Sequence, residues 1–237
     1  MQNYEFKEST TDKGAKRDLS KINSIIIHTT GYGAGLQRIN KFQKGKENHL
    51  EKIGEAYAHR MANVLKYKGH YLIDHTGKIW QFIALNEIAW HTGSSKRKAL
   101  KNEEPFAWWK KRWPKLKVPT DLVAWKTYPN ATSVGIDLLA HGNGEITDGY
   151  TDEQYESLAY LIDDLCTRLN IPAKREFILG HEDVDPIARG SARGGWDPGK
   201  FDYDRLLKLV RERRNKEVVT GPKVNFTDII KKVFSWF

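Results

Sequence analysis

Ser24-Ile25-Ile26-Ile27-His28 is a short, β-branched apolar run that ends in Gly31 and Gly33, the pattern of a buried strand running into a loop. From about Leu36 to Leu65 the apolar positions are loosely helical and are interrupted by a charged stretch. Tyr71 to Ile73, the turn His75-Thr76-Gly77 and Ile79 to Ile83 read as a hairpin, and Val134 to Leu139 as another apolar strand. Thr151 and Gln154 are spaced as a capping box, each able to satisfy a backbone donor of the other. The helix behind them places Tyr155, Leu158, Ala159, Ile162, Leu165, Cys166 and Leu169 on one face, and Asn170 with Pro172 stops it. Phe177-Ile178-Leu179 is a last strand, which delivers Gly180-His181 into a long loop that reaches Trp196-Asp197-Pro198-Gly199. Residues 202 to 215 form a basic helix. Strands alternating with helices predict an α/β class. The expected organisation is a polar N-terminal arm (1–20), a main domain (21–215) carrying an insertion at about 94–128, a linker (216–224) and an amphipathic C-terminal helix (225–237).

Bulk properties narrow the picture only a little. The charged fraction of 29% and the hydrophobic fraction of 39% are ordinary for a globular protein. No apolar run reaches the roughly 18 residues of a membrane span, and the polar N-terminus lacks the apolar core of a secretory signal. The net charge of +9 favours polyanionic partners: nucleic acid, anionic lipid or the anionic polymers of a bacterial envelope. The single cysteine, Cys166, forms no intramolecular disulfide and falls on the apolar helix face, so it reads as core filler.

Chemistry enters at the strand ends. His28 and His181 each follow an apolar strand directly, and in α/β sheets that is where ligand groups are displayed. A hydrolytic zinc site needs three protein ligands and one open position, and two imidazoles with a carboxylate meet that need. A single strand-terminal histidine is also compatible with a purely structural role.

Several blocks then occur in order: Ile25-Ile26-Ile27-His28-Thr29-Thr30-Gly31, Gly69-His70-Tyr71-Leu72-Ile73-Asp74, Ala89-Trp90-His91-Thr92-Gly93, Ser133-Val134-Gly135-Ile136-Asp137-Leu138, Gly180-His181-Glu182-Asp183 and Asp197-Pro198-Gly199. As an ordered set they resemble the type-2 N-acetylmuramoyl-L-alanine amidases, a family similar in fold to peptidoglycan recognition proteins and phage lysozyme-amidases. The resemblance implies a central mixed β-sheet flanked by helices, and a zinc-dependent hydrolase that cuts between N-acetylmuramic acid and the first L-alanine of the stem peptide. It places His28, His181 and Asp197 on the three metal ligands. Asp137 falls where the family usually has a glutamate, so it is the candidate acid/base, with an orienting role as the alternative. The family's usual oxyanion-stabilising lysine is replaced by Gly195, and Arg189 and Arg193 in the same loop are the candidates for that charge. Trp90 and His91 correspond to the border of the substrate groove, with core packing as the alternative for His91. The resemblance makes His70 and Tyr71 hairpin core, and gives no ligand role to His49, His59, His75 or His141.

The insertion interleaves cations with Trp108, Trp109 and Trp113, which fits a wall-binding surface, a solvated face over buried indoles or, less well, a nucleic-acid surface. Trp108 and Trp109 are its candidate substrate contacts. The tail sets Lys231 and Lys232 against Phe226, Ile229, Ile230, Val233, Phe234 and Phe237. It suits an anionic membrane surface, its own domain or a partner. The expected partner is peptidoglycan and the expected state a monomer. The expected role is lytic, on periplasmic or cell-wall substrate after release or delivery. A recycling enzyme on soluble muropeptides and a non-catalytic binding module of the same fold are the alternatives.

Overall fold

The β-branched run around Ile25-Ile26-Ile27 forms an interior strand, second from one edge, of a six-stranded sheet in the computed structural model, which describes residues 5–6, 14–30, 46–63, 69–92, 129–139, 149–184, 197–199 and 201–220. The strands are β1 (Glu5–Phe6), β2 (Ser24–Thr29), β3 (Tyr71–Ile73), β4 (Ile79–Gln81), β5 (Ser133–Leu138) and β6 (Ile178–Gly180), in the order β1-β4-β3-β5-β2-β6. Among the described strand pairs only the β3–β4 hairpin is antiparallel, and Gly77 supplies the positive φ of its turn. The helices are α1 (His49–Asn63), α2 (Pro129–Thr132), α3 (Asp152–Arg168), α4 (His181–Val184) and α5 (Tyr203–Thr220). This is the mixed, helix-flanked α/β sheet expected from the sequence.

Strand alternation assigns the two faces. Ile25, Ile27, Tyr71, Ile73, Val134, Ile136 and Leu138 point to the face covered by α3 and α5, where Leu158, Ile162, Leu165, Leu206 and Val210 complete the larger core. Leu72 and Trp80 point to the other face, where Ile53, Tyr57, Ala58 and Met61 of α1 cover them. The register pairs His28 with Asp137 and Ile26 with Gly135 across β2 and β5, and both pairs lie on the α1 face. α3 opens on the expected capping box, Thr151 with Gln154. It is tied to the sheet by Gln154 Nε2, which donates to Ile73 O at 3.2 Å and Leu139 O at 2.9 Å. It stops at Asn170, which has φ +54°. Cys166 is buried in the core, and burial pushes its thiol up to about 11.

Three boundaries differ from the sequence reading. The stretch read as a polar arm is partly built into the domain: Glu5–Phe6 adds an edge strand beside β4, and Arg17 is packed under the sheet. α5 runs on to Thr220, into the residues read as linker, because nothing before Gly221-Pro222 breaks a helix. β6 passes at once into the short helix α4, where a loop was expected. The insertion at 94–128, residues 185–196 and the tail at 225–237, expected as a helix, lie outside the described residues, as do Trp108, Trp109, Arg189, Arg193 and His141.

Candidate metal centre

His28 lies inside β2, one residue before the strand's end, so its imidazole is held by the sheet backbone. Gly180 pairs with Ile27 on the neighbouring strand, which brings His181, the first residue of α4, level with His28. Asp197 returns to the same point because its segment is fastened at several places. Glu182 N donates to Asp197 O at 2.8 Å, and Tyr150 Oη donates to Pro198 O at 2.5 Å. A Cβ on Gly180 would come within 2.6 Å of Pro198 Cδ, so glycine is what lets this segment lie against β6. Thr29 N donates to Asp197 Oδ1 at 2.9 Å, which turns Oδ2 toward the histidines.

The three side chains are buried and their polar atoms converge. His28 Nδ1 and His181 Nδ1 are 3.1 Å apart, His181 Nδ1 and Asp197 Oδ2 2.8 Å, and His28 Nδ1 and Asp197 Oδ2 3.8 Å. A tetrahedral ion with ligand bonds of about 2.0–2.2 Å sets its ligand atoms roughly 3.3–3.6 Å apart, and the observed separations bracket that spacing. The donor set of two nitrogens and one carboxylate oxygen suits a borderline divalent ion. Burial alone would raise the Asp197 carboxyl, but its hydrogen bonds to His181 and His28 outweigh it and hold the group well below the usual carboxylate range. The carboxylate therefore stays ionised, as a ligand must be. These residues can hold a metal ion.

Asp137 sits directly across from His28 on the neighbouring strand, about 4.8 Å away at the backbone, and is half-buried. Its charge reaches the hydroxyls of both Tyr57 and Tyr150, which flank the same face. Burial pushes Tyr57 up to about 12, so that phenol stays protonated at neutral pH. Trp90 is 41% exposed, a large apolar surface beside the site.

His91, expected at the substrate border, is placed in the wall of the site. Its Nδ1 is 2.9 Å from His28 Nε2, its Nε2 is 3.1 Å from Ser133 Oγ, and its ring lies where a Gly135 Cβ would be. Burial first, then the neighbouring His28 and His70 charges, keep this ring neutral. His70 is buried, as expected, and bonds β5 through Gly135 N–H, which donates to its Nδ1 at 3.1 Å.

Sequence reasoning missed Arg17. Its guanidinium donates to Leu85 O at 2.7 Å, Asn130 O at 3.0 Å and Ser133 O at 2.6 Å, and lies 2.7 Å from His70 Nε2. It also missed Asn130, whose amide clamps Thr92 through three hydrogen bonds of 2.9–3.0 Å and so fixes the segment that carries His91. Neither residue belongs to a recognisable motif, and no local signal separates a buried arginine from a solvated one.

Residues 18–200 match the family model described as N-acetylmuramoyl-L-alanine amidase. Among curated proteins, the chain is similar to the 1,6-anhydro-N-acetylmuramyl-L-alanine amidase AmpD of Citrobacter freundii, with 28% identity over 155 residues, 65% of this chain and 63% of that protein. It is also similar to the AmpD of Haemophilus influenzae, with 26% identity over 148 residues, 62% of this chain and 60% of that protein. The chain thus spans less than two thirds of the length of these relatives. The solved catalytic domain of XlyA shares the fold, with a TM-score of 0.50 and 16% identity, covering 88% of this chain and 99% of that domain. The family model covers well over half of the sequence and includes all three converging side chains. The chain belongs to the N-acetylmuramoyl-L-alanine amidase family, type 2.

Proposed function

We propose that the protein is a zinc-dependent hydrolase that cleaves the amide between N-acetylmuramic acid and L-alanine in bacterial peptidoglycan. The observation that carries this reading is the convergence of His28 Nδ1, His181 Nδ1 and Asp197 Oδ2 on one buried point, in a chain of this family. When bound, the ion supplies Lewis acidity, lowering the pKa of water and polarising the scissile carbonyl. The protein's own groups do the rest. Thr29 N–H and the stapled 197–199 segment keep the Asp197 carboxylate aimed. Asp137, beside His28, takes the proton from the attacking water and returns it to the departing amine. Arg189 or Arg193 supplies the positive charge for the developing oxyanion in place of the family's lysine. Trp90 offers the apolar floor of the groove.

The physical form of the substrate separates two readings. The tryptophan-rich insertion with Trp108 and Trp109, and the cationic amphipathic tail, favour polymeric wall beside an anionic membrane and hence a lytic role after release or delivery. The names of the curated relatives favour soluble 1,6-anhydro muropeptides and hence recycling. Incubating the zinc-loaded protein separately with purified sacculi and with soluble anhydro-muropeptides, and reading the products by mass spectrometry, tests both. Release of intact stem peptides with a free L-alanine amine is expected. Release from sacculi supports the lytic role, and release from soluble fragments alone supports recycling. No release from either substrate, by protein shown to contain the metal, refutes the amidase reading.

A further inference from the structure

Four residues in a row beside the metal centre fix where the protons sit. Ser133 Oγ donates its one proton to Pro129 O at 2.6 Å, because a carbonyl can only accept. Toward His91 the hydroxyl is therefore an acceptor, and the 3.1 Å contact requires a proton on His91 Nε2. A neutral imidazole carries one N–H, so His91 Nδ1 is a lone pair. That lone pair faces His28 Nε2 at 2.9 Å, which must then be the protonated nitrogen of His28. The remaining nitrogen, His28 Nδ1, is left with its lone pair pointing at His181 and Asp197.

We propose that His91 is a positioning residue: the relay from His28 Nε2–H through His91 and Ser133 to Pro129 O locks His28 in the tautomer that presents Nδ1 to a metal ion. This rests on the metal-centre reading above and assigns a role that the family blocks alone do not. Histidine ligands generally give their second N–H to a carboxylate, carbonyl or water, and that partner fixes ring orientation and basicity. Here the partner is a third imidazole, and the fold has made room for it. Gly135 supplies a flat floor for the ring: a Cβ there would lie 2.5 Å from His91 Cγ and 2.6 Å from Nδ1. The next residue, Thr92, is clamped to Asn130, so the backbone cannot carry the ring away. His91 meets His28 edge-on, with ring centroids 5.0 Å apart, the geometry of an in-plane N–H···N bond. Both ring nitrogens have protein partners, so the side chain is committed to the wall and not to substrate.

The test uses the full chain and two readouts. In metal-free protein, long-range ¹H–¹⁵N spectra of the histidine rings report which nitrogen carries the proton. The expectation is His28 protonated at Nε2 and His91 also at Nε2. Zinc affinity is then measured by chelator competition for three variants. His91→Phe keeps the ring's bulk but removes the acceptor, and should weaken zinc binding by about 10- to 100-fold while releasing His28 into mixed tautomers. His91→Asn returns an acceptor to the Nδ1 position, and should recover most of that loss. Ser133→Ala leaves both rings in place but removes the acceptor that orients His91, so it should shift the His91 ¹⁵N pattern toward a mixture. Should His91→Phe fail to fold, Ser133→Ala and the wild-type spectra still decide. Unchanged zinc affinity in His91→Phe, or His91→Asn no better than His91→Phe, or His28 protonated at Nδ1 in the wild type, overturns the relay. Wild-type protein that binds no zinc at all, with the predicted tautomers present, overturns the metal reading and not the relay.

Discussion

Gly135→Ala is the sharpest probe of how this site is assembled, because the new atom has a calculable place. Its Cβ would sit 2.5 Å from His91 Cγ, 2.6 Å from Nδ1 and 2.8 Å from Cδ2. Ordinary carbon contacts begin near 3.4 Å, so the ring must retreat by about 0.9 Å. The His91–His28 bond, now 2.9 Å, would lengthen by up to that amount, to as much as roughly 3.8 Å, beyond hydrogen-bond range. Overpacking of this kind costs about 1–3 kcal/mol, and the lost bond about another 0.5–1.5 kcal/mol. Against that, alanine restricts the unfolded chain and returns about 0.4–1 kcal/mol. These contributions combine to a loss of about 0.5–4 kcal/mol, and the central part of that range, about 1–3 kcal/mol, is the expectation. With a urea m-value of about 2 kcal/mol/M, that lowers the denaturation midpoint by roughly 0.5–1.5 M. Urea titration of metal-free protein measures it. The clash is specific to one ring, so in a His91→Ala background the same Gly135→Ala change should cost nothing or stabilise slightly, a coupling that a double-mutant cycle reads directly. An unchanged midpoint for Gly135→Ala, or an equal loss in both backgrounds, would refute the reasoning.

Other outcomes follow from the same structure. Asp137→Asn should retain zinc but lose about 10²–10⁴ in kcat, whereas Asp137→Glu should stay active; zinc content and turnover, measured on the same preparation, would expose a purely structural Asp137 if Asn turns over normally. Zinc at 100 times its dissociation constant should add about 2.7 kcal/mol to stability, and His181→Ala should abolish that increment in melts with and without chelator. Arg175 pairs with the fully buried Asp183 at 2.7 Å, so Arg175→Met should cost about 3–5 kcal/mol by removing the charged partner of a buried carboxylate; a loss under about 1 kcal/mol in urea titration would mean that the remaining partners, Gly180 N–H among them, suffice to hold it. Burial, helped by Arg17, lowers His70 to about 3, and burial lowers His75 to about 4. A group with a depressed folded pKa binds protons mainly when unfolded, so this contribution is complete above the ordinary histidine value near 6.5 and is lost as pH falls below it. With both rings neutral, stability should fall by up to about 2.7 kcal/mol per pH unit on the way down from about 6 to 5; a flat profile there contradicts the burial argument.

What could be read from the sequence was local. The capping box at Thr151 and Gln154 is a four-residue signal, and it forms as written. The hairpin turn at Gly77 needs only its own backbone. His28 and His181 were legible because each directly follows an apolar run at or next to the end of a strand. Where partners are distant in sequence, patterning fails. Glu5–Phe6 looks like part of a polar tail, and becomes a strand only because β4 offers a free edge. Arg17 looks like a surface cation, and is half-buried only because carbonyls from Leu85, Asn130 and Ser133 converge on it. The linker was read one helical segment too early because its charged residues carry no apolar stripe, although charge does not break a helix.

The same contrast separates the metal set from the groups that tune it. His28, His181 and Asp197 are chemically conspicuous, but nothing in those residues says which nitrogen faces the ion. That information is held by Gly135, Ser133 and Asn130, a missing side chain, a hydroxyl and a clamp. None of these would be chosen for its own chemistry. Ser133 and Gly135 stand four and two residues from Asp137 on the same face of β5, so one strand carries the proposed acid/base, the floor beneath His91 and the hydroxyl that orients it. A shift of β5 by one residue would turn all three to the opposite face at once. The pairing of Ser24 with Ser133 through Thr29 with Leu138 is therefore as much a part of the site as its ligands. It follows that substitutions which loosen this register, such as proline at Val134, should abolish zinc binding and turnover together, whereas Asp137→Asn should separate them.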